Sequence, residues 1–146
     1  MKIALGFDHG GFEHKKTLID YLEKNKIEYV DFGTNSSESC DYPIFAEKVA
    51  KAVQCGECER GILICGTGVG MSIVANKFKG IRCALCNEYF MAKATREHND
   101  SNVLAMGARV IGLNVMLEIV DVWIKTEFIG IHHTKRIQMI SDIENA

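Results

Sequence analysis

The sequence has little proline and no long hydrophobic run. With one proline, Pro43, and no low-complexity segment, it offers no candidate for a linker between two domains. No stretch approaches the roughly 20 apolar residues of a membrane-spanning helix, and the apolar run at the N-terminus is too short for a signal peptide. We therefore predict a single domain over residues 1–146 and a cytoplasmic protein with no membrane partner.

The sequence also lacks an excess of charge of either sign. Its formal net charge of −2 gives no electrostatic reason to expect binding to nucleic acid. Apolar residues make up 47% of the chain and charged residues 25%, the ordinary balance of a globular protein. A chain of 146 residues with this balance can bury a core without disulfide or metal staples.

Cysteine is present, and its spacing raises the possibility of a zinc site. Two CxxC pairs, Cys55/Cys58 and Cys83/Cys86, have a spacing that zinc ligands use. However, a strand, a loop and a helix are predicted between the pairs, and an offset of three places Cys83 and Cys86 on opposite faces of a predicted strand. We therefore predict no metal site, with mostly reduced cysteines that serve as buried small residues or lie on the surface.

Apolar periodicity predicts alternating strands and helices along the chain. The predicted strands are 2–7, 27–33, 61–65, 81–85 and 102–107. The predicted helices are 14–25, 44–53 (with Asp41 as N-cap and Pro43 in the first turn), 71–78, 88–98, 114–128 and 132–145. Continuous apolar strands that alternate with helices indicate an α/β fold with a parallel sheet covered on both faces. The isoleucines of the last helix need a partner, either the sheet of the same chain or a second subunit.

The glycine-rich stretch ICGTGVG, residues 64–70, joins the third predicted strand to a helix. A P-loop needs a lysine and Ser/Thr after its last glycine, but here Met71 follows Gly70. The glycines are two residues apart rather than in GxGxxG spacing, which disfavours a dinucleotide site even though Glu88 lies about twenty residues further on. What remains is a turn whose backbone N–H groups can bind an anion.

Cys65 stands where the third strand enters this turn. A thiolate next to a helix N-terminus is stabilised by the dipole and by nearby amides, and the glycines let a substrate approach closely. Such a thiolate can act as a nucleophile or as a base. The alternative is that Cys65 is a small apolar residue at the end of a buried strand.

Other polar side chains follow the predicted strands or end a helix. In an open parallel sheet, ligands bind at the carboxyl ends of the strands, so these side chains are candidates for one site. They are Asp8 and His9 after the first strand, Arg109 after the fifth, and His98, Asn99 and Asp100 at the end of a helix. A basic group near the C-terminus (His132, His133, Lys135 and Arg136) is either a solvated face or, together with Arg109, a phosphate site.

The motifs that carry these residues resemble those of the ribose-5-phosphate isomerase B family, which is grouped with the galactose-6-phosphate isomerase subunits. They are DHGG (8–11), DYP (41–43), ICGTGVGMSIVANKFKGIRCA (64–84), EHNDSNVLAMGARVIG (97–112) and HHTKRI (132–137), in the order and spacing of the family. The resemblance covers essentially the whole chain. It implies a Rossmann-like three-layer α/β/α sandwich with a five-stranded parallel sheet and an extended C-terminal helix.

The resemblance also implies an activity and an assembly. The activity is interconversion of ribose 5-phosphate and ribulose 5-phosphate without a metal or cofactor, a reaction of the non-oxidative pentose phosphate pathway. The assembly is a homodimer, or a dimer of dimers, with active sites shared between two subunits.

Carried over by position, the resemblance gives each site residue a role. Cys65 is the implied base that moves a proton between C2 and C1 of the sugar. The enediolate would be stabilised by Thr67 and by the amides of Gly66, Gly68, Val69 and Gly70. His98, helped by Asp8, would open the furanose ring, and Asn99 would orient sugar oxygens. The phosphate would be held by His9, Arg109, His132 and Arg136.

His132 departs from the family pattern, in which an arginine is common. Histidine can donate to phosphate but lacks the planar fork and is only partly charged near neutral pH. A six-carbon sugar phosphate such as allose 6-phosphate is therefore an alternative substrate. Two other classes of function also remain: a hydrolase with a cysteine nucleophile, and a module that binds sugar phosphates or nucleotides without turnover.

Overall fold

Five parallel strands form one sheet in the computed structural model, which describes residues 1–146. The strands are β1 (Lys2–Phe7), β2 (Glu28–Asp31), β3 (Arg60–Cys65), β4 (Cys83–Leu85) and β5 (Val103–Gly107). Their order across the sheet is β2-β1-β3-β5-β4, and every neighbouring pair is parallel. The five-stranded parallel sheet is confirmed, whereas the strand order could not be predicted from periodicity.

Six helices connect or follow the strands. They are α1 (Phe12–Lys24), α2 (Tyr42–Gln54), α3 (Val69–Ala75), α4 (Tyr89–Asn99), α5 (Leu113–Lys125) and α6 (His132–Asn145). The predicted bounds of α6 are confirmed. The prediction for α3 was wrong by two or three residues at each end, because its last turn tightens: Lys77 and Phe78 donate to Val74 and Ala75, three residues back. Asp41 occupies the N-cap position of α2, but its side chain makes no capping hydrogen bond.

The sheet is covered on both faces, which confirms the three-layer architecture. Adjacent residues of β3 point to opposite faces, so Ile62 and Ile64 belong to one hydrophobic cluster and Leu63 and Cys65 to the other. The first cluster packs mainly under α1 and α5, which buries Trp123. The second packs under α2 and α3.

The paired cysteines are distributed as the strand pattern predicts. Cys86 belongs to the first hydrophobic cluster, whereas Cys83 packs against the second, on the opposite face of the sheet. Burial, with the nearby charge of Glu88, raises the pKa of the Cys86 thiol to about 12. Burial also raises the pKa of Cys83. These two thiols are therefore protonated near neutral pH, and none of the six cysteines forms a disulfide.

The terminal helix α6 does not pack its apolar side chains on the sheet. None of its residues is buried, and Ile143 is 76% exposed. Its C-terminal end is tied to the loop after α3, because Glu144 accepts from the Gly80 N–H at 3.1 Å and Asn145 from Lys79 Nζ at 3.1 Å. The sheet of the same chain therefore buries none of these isoleucines, although Ile140 and Ile143 line an open cavity with Cys83 and Ala84 of β4. No helix of the chain has the length and apolar character needed to cross a bilayer.

Candidate active site

A cavity of about 250 Å³ opens at the carboxyl ends of β1 and β3. We call it the thiol cavity. Its lining residues are Asp8, His9, Gly10, Tyr42, Cys65, Gly66, Thr67, Gly70 and Arg109. The structure thus brings together seven of the predicted site residues (Asp8, His9, Cys65, Gly66, Thr67, Gly70 and Arg109).

Asp8 shapes the turn that follows β1. The residue is 5% exposed, and its Oδ1 accepts the N–H groups of Gly10 at 2.8 Å and Gly11 at 3.0 Å. A Cβ atom at Gly11 would lie 2.1 Å from the carbonyl oxygen of Ile64, so only glycine fits there. Because both hydrogen bonds use Oδ1, the second oxygen, Oδ2, is left for a ligand.

The thiol of Cys65 is held by the loop that follows it. Its Sγ, in a residue only 5% exposed, accepts the N–H of Gly68 at 3.1 Å. Gly68 has φ = +78°, and a Cβ atom there would lie 2.6 Å from Leu85 and 2.8 Å from Met106. The glycine at this position is therefore required both by its backbone conformation and by the close packing. This hydrogen bond fixes the position of the Cys65 sulfur at the start of the turn.

The backbone N–H groups of Gly68 and Val69 donate to side chains of the same loop. The Gly68 N–H donates to the Cys65 thiol, and the Val69 N–H donates to Thr67 Oγ1 at 3.3 Å. We predicted that both would face an enediolate. In the structure they contact Cys65 and Thr67, two side chains that line the cavity, and their role towards an enediolate stays a prediction.

The loop after β5 places Arg109 at the cavity. The backbone N–H groups of Ala108 and Arg109 donate to the carbonyls of Cys65 at 2.9 Å and Gly66 at 3.0 Å, which joins this loop to the glycine turn. A Cβ atom at Gly66 would lie 3.5 Å from Arg109 Nη1, so the guanidinium lies across the glycine. Arg109 therefore brings a fixed positive charge to the cavity.

His9 is oriented by the segment that leads into α2. Its Nδ1 accepts the backbone N–H of Cys40 at 3.2 Å, and the Cys40 Sγ lies 3.8 Å from the same nitrogen. The neutral ring therefore carries its proton on Nε2. A protonated Nε2 can donate to an anionic ligand.

Tyr42 lines the cavity but is absent from the predicted site. Atoms of its ring would lie 2.7 Å from a Cβ atom at Gly70, so the ring rests directly on that glycine. In the sequence, Asp41 and Pro43 were used as signals for a helix start and the tyrosine between them was not assigned. The DYP motif was the signal that could have found it.

The other predicted site residues lie elsewhere on the chain. The His98 ring stacks on that of His133, with centroids 4.4 Å apart, and His133 lies 4.2 Å from His132. We call these three residues the histidine cluster. Neither the cluster nor Asn99 nor Arg136 lines the thiol cavity of the same chain.

Burial lowers the pKa of His133, as do the charges of His132, His98 and Arg136.

Glu88 has a structural task. Its carboxylate accepts the N–H groups of Phe90 at 2.8 Å and Met91 at 2.7 Å, and so caps the N-terminus of α4. A dinucleotide site would need this carboxylate for a ribose hydroxyl. Because the Glu88 carboxylate is used as a helix cap, a dinucleotide site is disfavoured.

The fold and the thiol cavity define a class of protein. It is a parallel three-layer α/β domain whose sheet carries a thiol, a carboxylate and a guanidinium at its carboxyl edge, groups that can bind a small anion and transfer a proton. Comparison with known families gives the particular one. The model of the ribose/galactose isomerase family matches residues 3–140, and the chain belongs to this family.

Individual relatives match along almost the whole chain. A putative sugar phosphate isomerase of Bacillus subtilis (strain 168) is 54% identical over 99% of this chain and 97% of its own length. Ribose-5-phosphate isomerase B of Escherichia coli (strain K12) is 50% identical over 98% of this chain and 96% of its own. The solved structure of ribose-5-phosphate isomerase B from Clostridium thermocellum, 54% identical, has a TM-score of 0.98 and covers 99% of this chain and 98% of its own.

Proposed function

We propose that the chain interconverts ribose 5-phosphate and ribulose 5-phosphate through an enediolate, with Cys65 as the base. The observation that carries the proposal is the Cys65 Sγ, buried and bonded to the Gly68 N–H, in one cavity with Asp8 and Arg109. The family, together with the name of the Escherichia coli relative, ribose-5-phosphate isomerase B, supports the substrate. In the cell, we place this step in the cytoplasm and in the non-oxidative pentose phosphate pathway.

The proton transfers balance without a co-reactant. The Cys65 thiolate removes the proton from C2 of the open-chain aldose, and the electron pair moves through the C1–C2 bond onto the C1 oxygen. The thiol then returns the proton to C1, while the proton on the C2 hydroxyl passes to the C1 oxygen, which leaves the ketone at C2. Thr67 and the amides of Gly66 and Gly70 would stabilise the enediolate. The phosphate would be bound by His9 Nε2 and by the guanidinium of Arg109.

The active site we propose is shared between two copies of the chain. His98, with Asp8, would open the furanose ring, Asn99 would orient sugar oxygens, and His132 and Arg136 would complete the phosphate site. Because these residues lie outside the thiol cavity of their own chain, we propose that they act at the cavity of a partner. Exposed apolar side chains near both regions support a homodimer, since a partner would bury them. They are Val69, Ile73, Phe90, Met91, Ile131, Met139, Ile140 and Ile143.

The experiment replaces Cys65 by alanine and by serine. It measures turnover of ribose 5-phosphate and the exchange of the C2 hydrogen with D₂O. We expect both rates to fall by about a thousandfold, within the range for loss of a general base. The matched control is Cys55→Ala, which removes an exposed thiol and should leave both rates unchanged.

Other outcomes would favour the other classes of function. Full turnover by Cys65→Ala would remove Cys65 from the proposal. A covalent thioester at Cys65, with no C2 exchange, would indicate a hydrolase. Saturable binding without turnover of any pentose or hexose phosphate would indicate a binding module. A higher kcat/KM for allose 6-phosphate than for ribose 5-phosphate, reversed by His132→Arg, would make the six-carbon sugar the substrate.

A further inference from the structure

The turn after α4 is held by an unusually large number of charged hydrogen bonds. Asp100, which ends the helix, has φ = +45° and ψ = +47°, the left-handed region that most side chains avoid. Its carboxylate contacts two arginines, Arg96 and Arg82. We call these three residues the Asp100 clamp.

Arg96 joins the clamp to the hydrophobic core. Its side chain is only 5% exposed, and Nη1 donates to Asp100 Oδ1 at 2.8 Å and to the Ser101 carbonyl at 2.6 Å. The Ser101 hydroxyl accepts the indole N–H of the fully buried Trp123 at 2.9 Å. The arginine also donates through Nε to the carbonyl of Thr126 at 3.2 Å, so the clamp is fixed to α5 at two points.

Arg82 holds the end of α4 from the side of the sheet edge. Its Nη2 donates to Asp100 Oδ2 at 3.1 Å and to the Asp100 carbonyl at 2.9 Å. Its Nε donates to the carbonyl of Asn99 at 2.9 Å. These carbonyls have no partner within the helix, so Arg82 supplies the bonds that the end of α4 lacks.

The clamp lies next to a residue that the proposed reaction needs. His98 precedes Asp100 by two residues, in the last turn of α4. Its ring stacks on His133, and both rings lie near the surface. A stacked ring alone does not set the position of the backbone that carries it. The clamp does, because it fixes the final turn of α4 to the core and to the sheet edge.

We propose that Asp100, with Arg82 and Arg96, is a positioning residue that places His98 for opening of the sugar ring. The inference rests on the proposed function and concerns one step of it. Ribose 5-phosphate is mainly a furanose, so the ring must open before the proton transfer can begin. Ribulose 5-phosphate has its C5 oxygen phosphorylated and cannot close a furanose on its C2 ketone. Proton exchange at its C1 therefore needs the base but not the ring-opening histidine.

The test compares these two reactions in Asp100→Gly and Asp100→Asn. Both replacements tolerate the left-handed conformation, so the backbone is not strained. In Asp100→Gly, we expect kcat on ribose 5-phosphate to fall by about tenfold or more, since a displacement of about 1 Å costs up to a hundredfold. We expect KM to change less than kcat. Deuterium exchange from D₂O into C1 of ribulose 5-phosphate should fall by less than about twofold, because the base is untouched.

Further variants separate positioning from folding. Asp100→Asn keeps one acceptor oxygen and should lose less activity than Asp100→Gly. Arg82→Lys keeps the charge but not the Nε bond to Asn99, and should give the same split between the two reactions. The matched control is Asp20→Asn, which removes an exposed pair with Lys16 at 2.5 Å and should change neither rate. Thermal unfolding of each variant identifies any that do not fold. If Asp100→Gly is one of them, the two rates of Asp100→Asn and Arg82→Lys test the positioning role.

The results distinguish the inference from the function on which it rests. If the unaltered chain neither isomerises ribose 5-phosphate nor exchanges C1 of ribulose 5-phosphate, the proposed function fails. If the unaltered chain does both, and the folded variants lose the two rates equally or lose neither, the function stands and the positioning role of Asp100 is overturned.

Discussion

The thiol cavity and the histidine cluster are built in opposite ways. In the cavity, functional side chains are held by backbone groups two or three residues away: Asp8 by Gly10 and Gly11, Cys65 by Gly68. In the cluster, the rings of His98 and His133 belong to different helices and hold each other by stacking near the surface. The cavity is thus organised within one chain, while the cluster has its functional groups turned to a surface that another molecule can cover.

The side chains of the two regions acquire their positions at different stages. A side chain fixed by its own turn is in place as soon as the strand and helix beside it form. A side chain on an exposed helix such as α6, which has no buried residue, acquires a defined environment only when something packs on it. In the proposed shared site, the cavity would supply the groups that need exact placement, Cys65 and its neighbours, and the histidine cluster of a partner would complete the site on assembly.

The largest effect is expected from mixing two inactive variants. Cys65→Ala and His98→Gln each remove one half of the proposed shared site, and each should lose about a hundredfold or more of the activity. When the two are unfolded together and refolded, half of the random dimers are mixed, and each mixed dimer contains one site with both residues intact. Activity should then rise to about a quarter of the unaltered level in a two-fold dimer.

The control for this experiment refolds each variant by itself, which should restore nothing. If the mixture stays as inactive as its components, the cavity and the cluster do not meet across an interface, and the proposal of shared sites is wrong.

A smaller effect is expected from closing the space beside Thr67. In Gly107→Ala, the new Cβ atom would lie 2.7 Å from the backbone of Thr67, so the glycine turn must move. We expect the free energy of unfolding in urea to fall by about 2 kcal/mol, the usual cost of overpacking. Alkylation of Cys65 should also become faster, because the turn that covers it is displaced.

Gly112→Ala, at the other end of the loop that follows Gly107, is the matched control. A Cβ atom there would meet nothing within 4 Å, so we expect a change of less than about 0.5 kcal/mol. If the two substitutions had equal effects, they would contradict the view that the backbone beside Gly107 is closely packed while the space around Gly112 is open.

The smallest effect is expected in the titration of the histidine cluster. Burial lowers the pKa of His133 from its ordinary value of 6.5, and the charges of His132, His98 and Arg136 add to this. At pH values between the lowered pKa in the folded chain and the ordinary pKa of 6.5, the unfolded chain binds more protons at His133 than the folded chain does. The contribution of His133 to stability is therefore lost as the pH falls below about 6.5. An NMR titration of the His133 ring should therefore have its midpoint below 6.5.

Removal of a neighbouring charge should move this midpoint. Arg136→Met takes away one of the positive charges that oppose protonation, so the pKa of His133 should rise towards its ordinary value. Lys16→Met, at an exposed position of α1, is the control and should leave the midpoint where it is. An unchanged midpoint in Arg136→Met would show that the cluster is not electrostatically coupled as described.

Much of the fold could be predicted because its signals are local. Continuous apolar strands between amphipathic helices predict a covered parallel sheet, and residue alternation predicts that Cys83 and Cys86 lie on opposite faces. Element ends were less predictable. The first residues of β4 are displaced because the Arg82 N–H donates to the Asn102 side chain at 2.8 Å rather than to a strand. Such a side-chain contact between distant residues leaves no periodic trace.

The site could be predicted only in part, for the same reason. Cys65, Asp8 and Arg109 are found from their places after strands, since carboxyl ends of parallel strands meet at one edge. Tyr42 was missed because it reaches Gly70 from another helix, and the Asp100 clamp because Arg82 and Asp100 are far apart in the chain.

The sequence by itself determined the class of fold, the glycine turn that holds the thiol and the candidate reactive side chains. These depend on residue type and on spacings of a few residues, which the chain carries directly. The tertiary structure decided the strand order, the union of Asp8, Cys65 and Arg109 in one cavity, and the separation of His98 from it. Those features depend on which distant segments pack together, and packing is settled by the shape and burial of the whole core.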